Sequence, residues 1–142
     1  MQSALVFPMA AMVLLTGLVL VRMVLGRVAA VKRGEVDSRF YKTQQGEVGE
    51  PRKAAQHTRH FVNLFESPVL FYVACLAAMI TGLSTGVMVW LAWAYVVCRA
   101  VHAFVHLGSN SIPPRMAIYG ASWIVLLAMW GVLVAGVATG SS

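Results

Sequence analysis

The sequence predicts an all-α fold: an integral membrane four-helix bundle forming a single membrane domain over residues 1–142. Three observations predict it. Apolar residues make up 59% of the chain and charged residues only 11%, a balance foreign to soluble domains. Four apolar stretches approach the ~20 residues that cross a hydrocarbon core. Polar segments or glycine and proline breakers separate them, and 142 residues leave room for one such domain.

The first span covers about residues 3–25, nearly all apolar. Pro8 lies near its start, where a missing N–H costs little. Arg22, Arg27, Lys32 and Arg33 follow at its other end, so the helix is expected to continue past the membrane surface. The stretch lacks the basic n-region and cleavage site of a secretory signal and reads as a retained helix. A polar loop over about residues 33–50 follows, with Gly46 and Gly49 as breakers.

The second helix is expected to start at Glu50-Pro51 and to run to a C-cap at Gly82, its span covering about residues 57–81. Pro68 lies inside it and denies the Leu64 carbonyl its usual donor, which predicts a kink beside Glu66. A short uncharged turn, Thr81 to Thr85, leads to the third span, about 86–107, closed by Gly108. The second and third helices thus form an antiparallel hairpin. Ser109-Asn110-Ser111 supplies N-cap candidates, Pro113 and Pro114 suit a first turn, and the fourth span covers about 114–138. Gly131 and Ala135 form a small-xxx-small pair there.

Nine of the eleven basic residues lie in or beside the first loop, which the positive-inside rule places in the cytoplasm, with both termini outside. Cys75 and Cys98 both fall within apolar runs and read as small packing residues rather than a disulfide framework.

Ionisable groups inside such spans are expensive and mark function by default. Arg59, Asn63 and Glu66 stand at i, i+4 and i+7, on one helical face over about 10 Å of rise. Arg99, His102 and His106 share a face of the third helix by the same spacing rule, and Arg115 begins the fourth. The topology brings all of them to one depth. Three arginines against Glu66 suit an anion, and a ligand with carboxylates for the arginines and an ammonium or amide for Glu66 and Asn63 would satisfy the set. The competing reading has Arg59 and Arg115 snorkelling to headgroups while Glu66 and Arg99 pair to lock two helices together.

Other chemistries find no support. His102 and His106 lack further ligands at metal-site spacing, so no metal is expected. No nucleophile motif or phosphate-cradling glycine loop is present, and the loop's charge is explained by topology, so no nucleic-acid partner is expected either.

Arg59-xxx-Asn63-xx-Glu66, together with Arg99-xx-His102-xxx-His106-Leu107-Gly108 followed by Arg115 and Tyr119, resembles the membrane-associated proteins in eicosanoid and glutathione metabolism, the MAPEG family. The resemblance covers most of the chain. The second block looks like the prostaglandin-E-forming branch, whereas Asn63-Leu64-Phe65-Glu66-Ser67-Pro68-Val69-Leu70-Phe71-Tyr72 looks like bacterial members. It implies a homotrimer in a bacterial inner membrane, in contact with lipids, with glutathione bound between subunits near the cytoplasmic surface and a lipophilic small-molecule substrate arriving from the bilayer. By that resemblance Arg59, Asn63 and Glu66 would hold the tripeptide, Arg99, His102 and Tyr119 would line the pocket with His106, and Arg115 would activate the thiol. Either Arg22 or Arg27 matches the family's arginine on the first helix. His106 stands where the eicosanoid enzymes usually carry tyrosine, and Met116 where the prostaglandin-E-forming enzyme has serine.

Two functional classes follow. The first is a glutathione-dependent membrane transferase or peroxidase acting on lipophilic electrophiles or lipid hydroperoxides. The second is a non-catalytic protein of the same fold that binds an anionic lipid or metabolite, or acts as an assembly subunit.

Overall fold

The computed structural model describes residues 2–35, 66–107 and 112–140. A single 3₁₀ turn, Gln2–Leu5, leads into helix α1, Val6–Lys32. Three further helices are described: α2, Ser67–Ile80; α3, Gly86–Leu107; and α4, Ile112–Ala138. No strand occurs among the described residues.

At 27 residues α1 extends about 40 Å, which exceeds the ~30 Å hydrocarbon core. Its end is set by Gly34, whose positive φ of 71° no β-carbon opposes. Gly34 N–H donates to the Val31 carbonyl at 3.0 Å and Glu35 N–H to the Ala30 carbonyl at 3.1 Å, the paired bonds of a Schellman motif.

Pro68, where the sequence places a kink, lies at the start of the described part of the second helix. Glu66 adopts φ −90° and ψ −89° at the N-cap of α2, and Pro68 falls in the first turn of that helix. There its absent N–H is one of the donors a helix start leaves over, and its fixed φ favours the helix. The preceding half of the expected second helix lies outside the described residues. At its other end Gly82, φ 74°, follows the Thr81 C-cap. Thr85 then caps α3, its Oγ1 accepting from the Met88 N–H at 3.3 Å.

Ser3–Lys32, Gly86–Val105 and Pro113–Ala138 are each long and apolar enough to cross a membrane, while the apolar Ser67–Ile80 is shorter. Their outer faces carry bare Ile80 (84% exposed), Phe104 (82%) and Trp90 (78%). Water would penalise such area at roughly 25 cal/mol per Å², whereas lipid tails accept it. The protein is an integral membrane protein.

The buried residues recur at steps of three and four. On α3 the stripe runs Met88, Ala92, Tyr95, Arg99 and His102, with Val96 and Ala103 buried beside it; on α4 it runs Ser122, Leu126, Met129 and Leu133. These two seams pack along each other more extensively than any other pair of described elements. Leu5, Met12 and Val19, one heptad apart, and Phe71, Ala74, Cys75 and Ala78 complete the core. Cys75 is fully buried and Cys98 partly so, and neither forms a disulfide.

Candidate functional site

Both long seams change character along their length. From Met88 to Tyr95 the buried stripe of α3 is apolar or aromatic, and the next two positions are Arg99, 0% exposed, and His102. The α4 stripe, read backwards from Leu133 through Leu126, continues at the same three-four spacing to Ser122, Tyr119 and Arg115. Because α3 and α4 are consecutive and packed along each other, their polar ends coincide. The site is the polar end of an otherwise apolar seam.

The contacts there are specific. The Arg99 guanidinium carbon lies 5.7 Å from the centroid of the Tyr119 ring, a cation–π distance at which a desolvated pair is worth about 2 kcal/mol. The His102 ring lies 5.7 Å from the same ring, tilted at 49°. Trp123 meets the edge of Tyr119 at 6.5 Å, and Ser122 Oγ donates to the Tyr119 carbonyl at 2.7 Å. Tyr119 is therefore held by its own helix while two cationic or protonatable groups of α3 rest against it.

Arg99 also lies within electrostatic reach of Tyr95 and Glu66. Glu66 is exposed at the start of α2. Its neighbour Ser67 is buried and accepts a hydrogen bond from the Tyr95 hydroxyl at 2.9 Å. Phe71, one turn further, stacks on the Tyr95 ring at 4.7 Å and 12°. The start of α2 is thus fastened to α3 one turn away from Arg99.

Of the residues singled out in the sequence, the structure brings together Arg99, His102 and Tyr119, sets Glu66 in electrostatic reach of Arg99, and leaves Arg115 half-buried one turn before Tyr119. Arg59 and Asn63 lie outside the described residues, as does the side chain of His106, whose backbone belongs to α3. The polar face of α3 meets α4 through Tyr119, with the start of α2 close by at Glu66 and Ser67. Sequence reasoning missed Tyr95 and Ser67. The signal was present for Tyr95, which stands four residues before Arg99 and so shares its helical face.

Arg99 and Arg115 bring positive charge to this end of the seam, Glu66 brings negative charge, and Tyr119 and Trp123 supply aromatic surface. No cluster of metal-ligating side chains occurs among the described residues.

On the first helix Arg22 is exposed beside a groove against α3, and Arg27 is half-buried. A sequence model of the MAPEG family matches residues 5–135, which takes in all of α1, α2 and α3 and all but the last turn of α4. No curated protein and no solved structure matches the chain.

Proposed function

Since the chain belongs to the MAPEG family, a membrane family broadly associated with glutathione, we propose that it is a glutathione-dependent transferase or peroxidase acting on lipophilic electrophiles or lipid hydroperoxides. The observation that carries this reading is Arg99, wholly buried on the α3 seam with the ring of Tyr119 against its guanidinium and Glu66 in electrostatic reach. Burying a cation costs several kcal/mol, and an anionic ligand of fixed geometry is the kind of partner that makes such a position useful.

In this reading Arg59, Asn63 and Glu66 hold the tripeptide, with Glu66 taking its amino end. Arg99, His102, His106 and Tyr119 line the pocket. Bound glutathione would supply the nucleophilic thiol: in transfer its sulfur would bond to an electrophilic carbon as the bond from that carbon to a leaving group breaks, the group departing with the thiol proton, and in peroxide reduction two glutathiones and one hydroperoxide would yield a disulfide, an alcohol and water. Arg115 favours the deprotonated sulfur, because a thiol of pKa about 8.5 is mostly protonated at neutral pH and an adjacent guanidinium stabilises the anion. The contribution of the protein is electrostatic and positional. Glu66, exposed at the edge of the described subunit, fits a ligand shared between neighbouring copies, and a homotrimer with the first loop cytoplasmic and both termini outside a bacterial inner membrane completes the proposal.

The test is calorimetric titration of glutathione into detergent-solubilised protein, beside Arg59→Ala and Glu66→Ala variants. Saturable binding to the wild type and its loss in both variants is the expected result. No binding to a folded oligomer would overturn the glutathione reading.

A further inference from the structure

A second feature flanks the Arg99 seam, on the side of α3 that turns toward α1. Between α1 and α3 runs a groove of about 450 Å³, walled by Leu18 and Leu25 on one side and Phe104 on the other and floored in part by Ala100 and Ala103. The two alanines make it, because their short side chains leave the space that a leucine would fill. Arg22 is exposed along it, and no acidic residue lines it among the described residues.

The position of Arg22 along α1 gives the groove a direction. Arg22 stands about 15 Å of helical rise before Lys32, with Arg27 between them, so its guanidinium can snorkel toward the basic end of the helix. The groove continues the other way, past Leu18 to Leu15, toward the middle of the span. A headgroup anion at Arg22 would therefore send its acyl chain down the groove. Basic pockets between membrane helices select anionic headgroups, and the further basic residues at this end of α1 raise the local concentration of such lipids.

We infer that the α1–α3 groove is a binding site for an anionic phospholipid, with the phosphodiester at Arg22 and one acyl chain lying between α1 and Phe104 of α3. This site is separate from the α3–α4 seam and does not depend on the glutathione reading.

The experiment is electron paramagnetic resonance on the full chain in phosphatidylcholine vesicles containing either spin-labelled phosphatidylglycerol or spin-labelled phosphatidylcholine. The wild type is expected to immobilise severalfold more of the phosphatidylglycerol. Arg22→Gln should remove that preference while leaving phosphatidylcholine contact unchanged, and Ala100→Leu, an exposed groove-filling change, should reduce the immobilised fraction of phosphatidylglycerol. Equal immobilisation of the two lipids by the wild type, or a preference that survives Arg22→Gln, would overturn the inference. So would efficient oxidative cross-linking of two copies through Leu18→Cys in a Cys98→Ala background, which would put a second copy in the groove.

Discussion

The hydroxyl of Tyr95 donates a 2.9 Å hydrogen bond to the hydroxyl of Ser67, joining the middle of α3 to the first turn of α2 across 28 residues of sequence. Both residues are buried, at 0% and 1% exposure, so neither hydroxyl has ready access to water. The bond fixes where α2 begins and, with it, where Glu66 stands relative to Arg99.

Tyr95→Phe removes the donor and leaves a buried serine hydroxyl to find another partner. The expected loss is about 1 kcal/mol of stability. Thermal unfolding in detergent measures it, and combining the change with Ser67→Ala should cost less than the sum of the two single changes. Strict additivity would show that the bond contributes nothing to the fold.

Arg99→Met separates a structural from a functional arginine. Replacing a buried cation by an apolar side chain of similar length is neutral or stabilising when no opposite charge is left stranded in the interior, and Glu66 is exposed. Unfolding is therefore expected to shift little, or upward, while glutathione affinity falls more than about tenfold, equivalent to ~1.4 kcal/mol. A variant that unfolds readily would assign Arg99 to helix locking instead.

Arg115 begins the polar stretch of the α4 seam, and the proposal gives it the thiol. Arg115→Ala is expected to abolish the thiolate absorbance of added glutathione while the oligomer stays intact. An unchanged signal would remove Arg115 from that role.

Gly136 lies where α4 meets the turn before α3, and a β-carbon built there would fall 2.8 Å from Leu83 Cδ1. Gly136→Val should therefore cost about 1–3 kcal/mol, because Leu83 is itself buried and has little room to retreat. Gly131→Ala should cost nothing, since nothing lies within 4 Å of a β-carbon at that position and alanine is the better helix former. Comparing the two midpoints in thermal unfolding checks both.

The contrast between these glycines shows how far a one-dimensional reading reaches. A small-xxx-small pattern points to Gly131 and Ala135, yet among the described glycines the close approach is at Gly136, whose neighbour Leu83 is distant in sequence. Glycine at the ends of helices is a different matter. Gly34 and Gly82 terminate α1 and α2 by their own backbone conformation, and that conformation depends on local sterics alone.

The same division applies to the site. By itself the sequence determined the all-helical membrane class, the turn between α2 and α3 and the shared face of Arg99 and His102, because apolar length, capping and helical period act within a few turns of chain. Tertiary structure alone decided that this face lies against the ring of Tyr119 and that Tyr95 ties down Ser67. Those outcomes depend on how side chains of different helices interdigitate, a choice that periodicity within one helix leaves open.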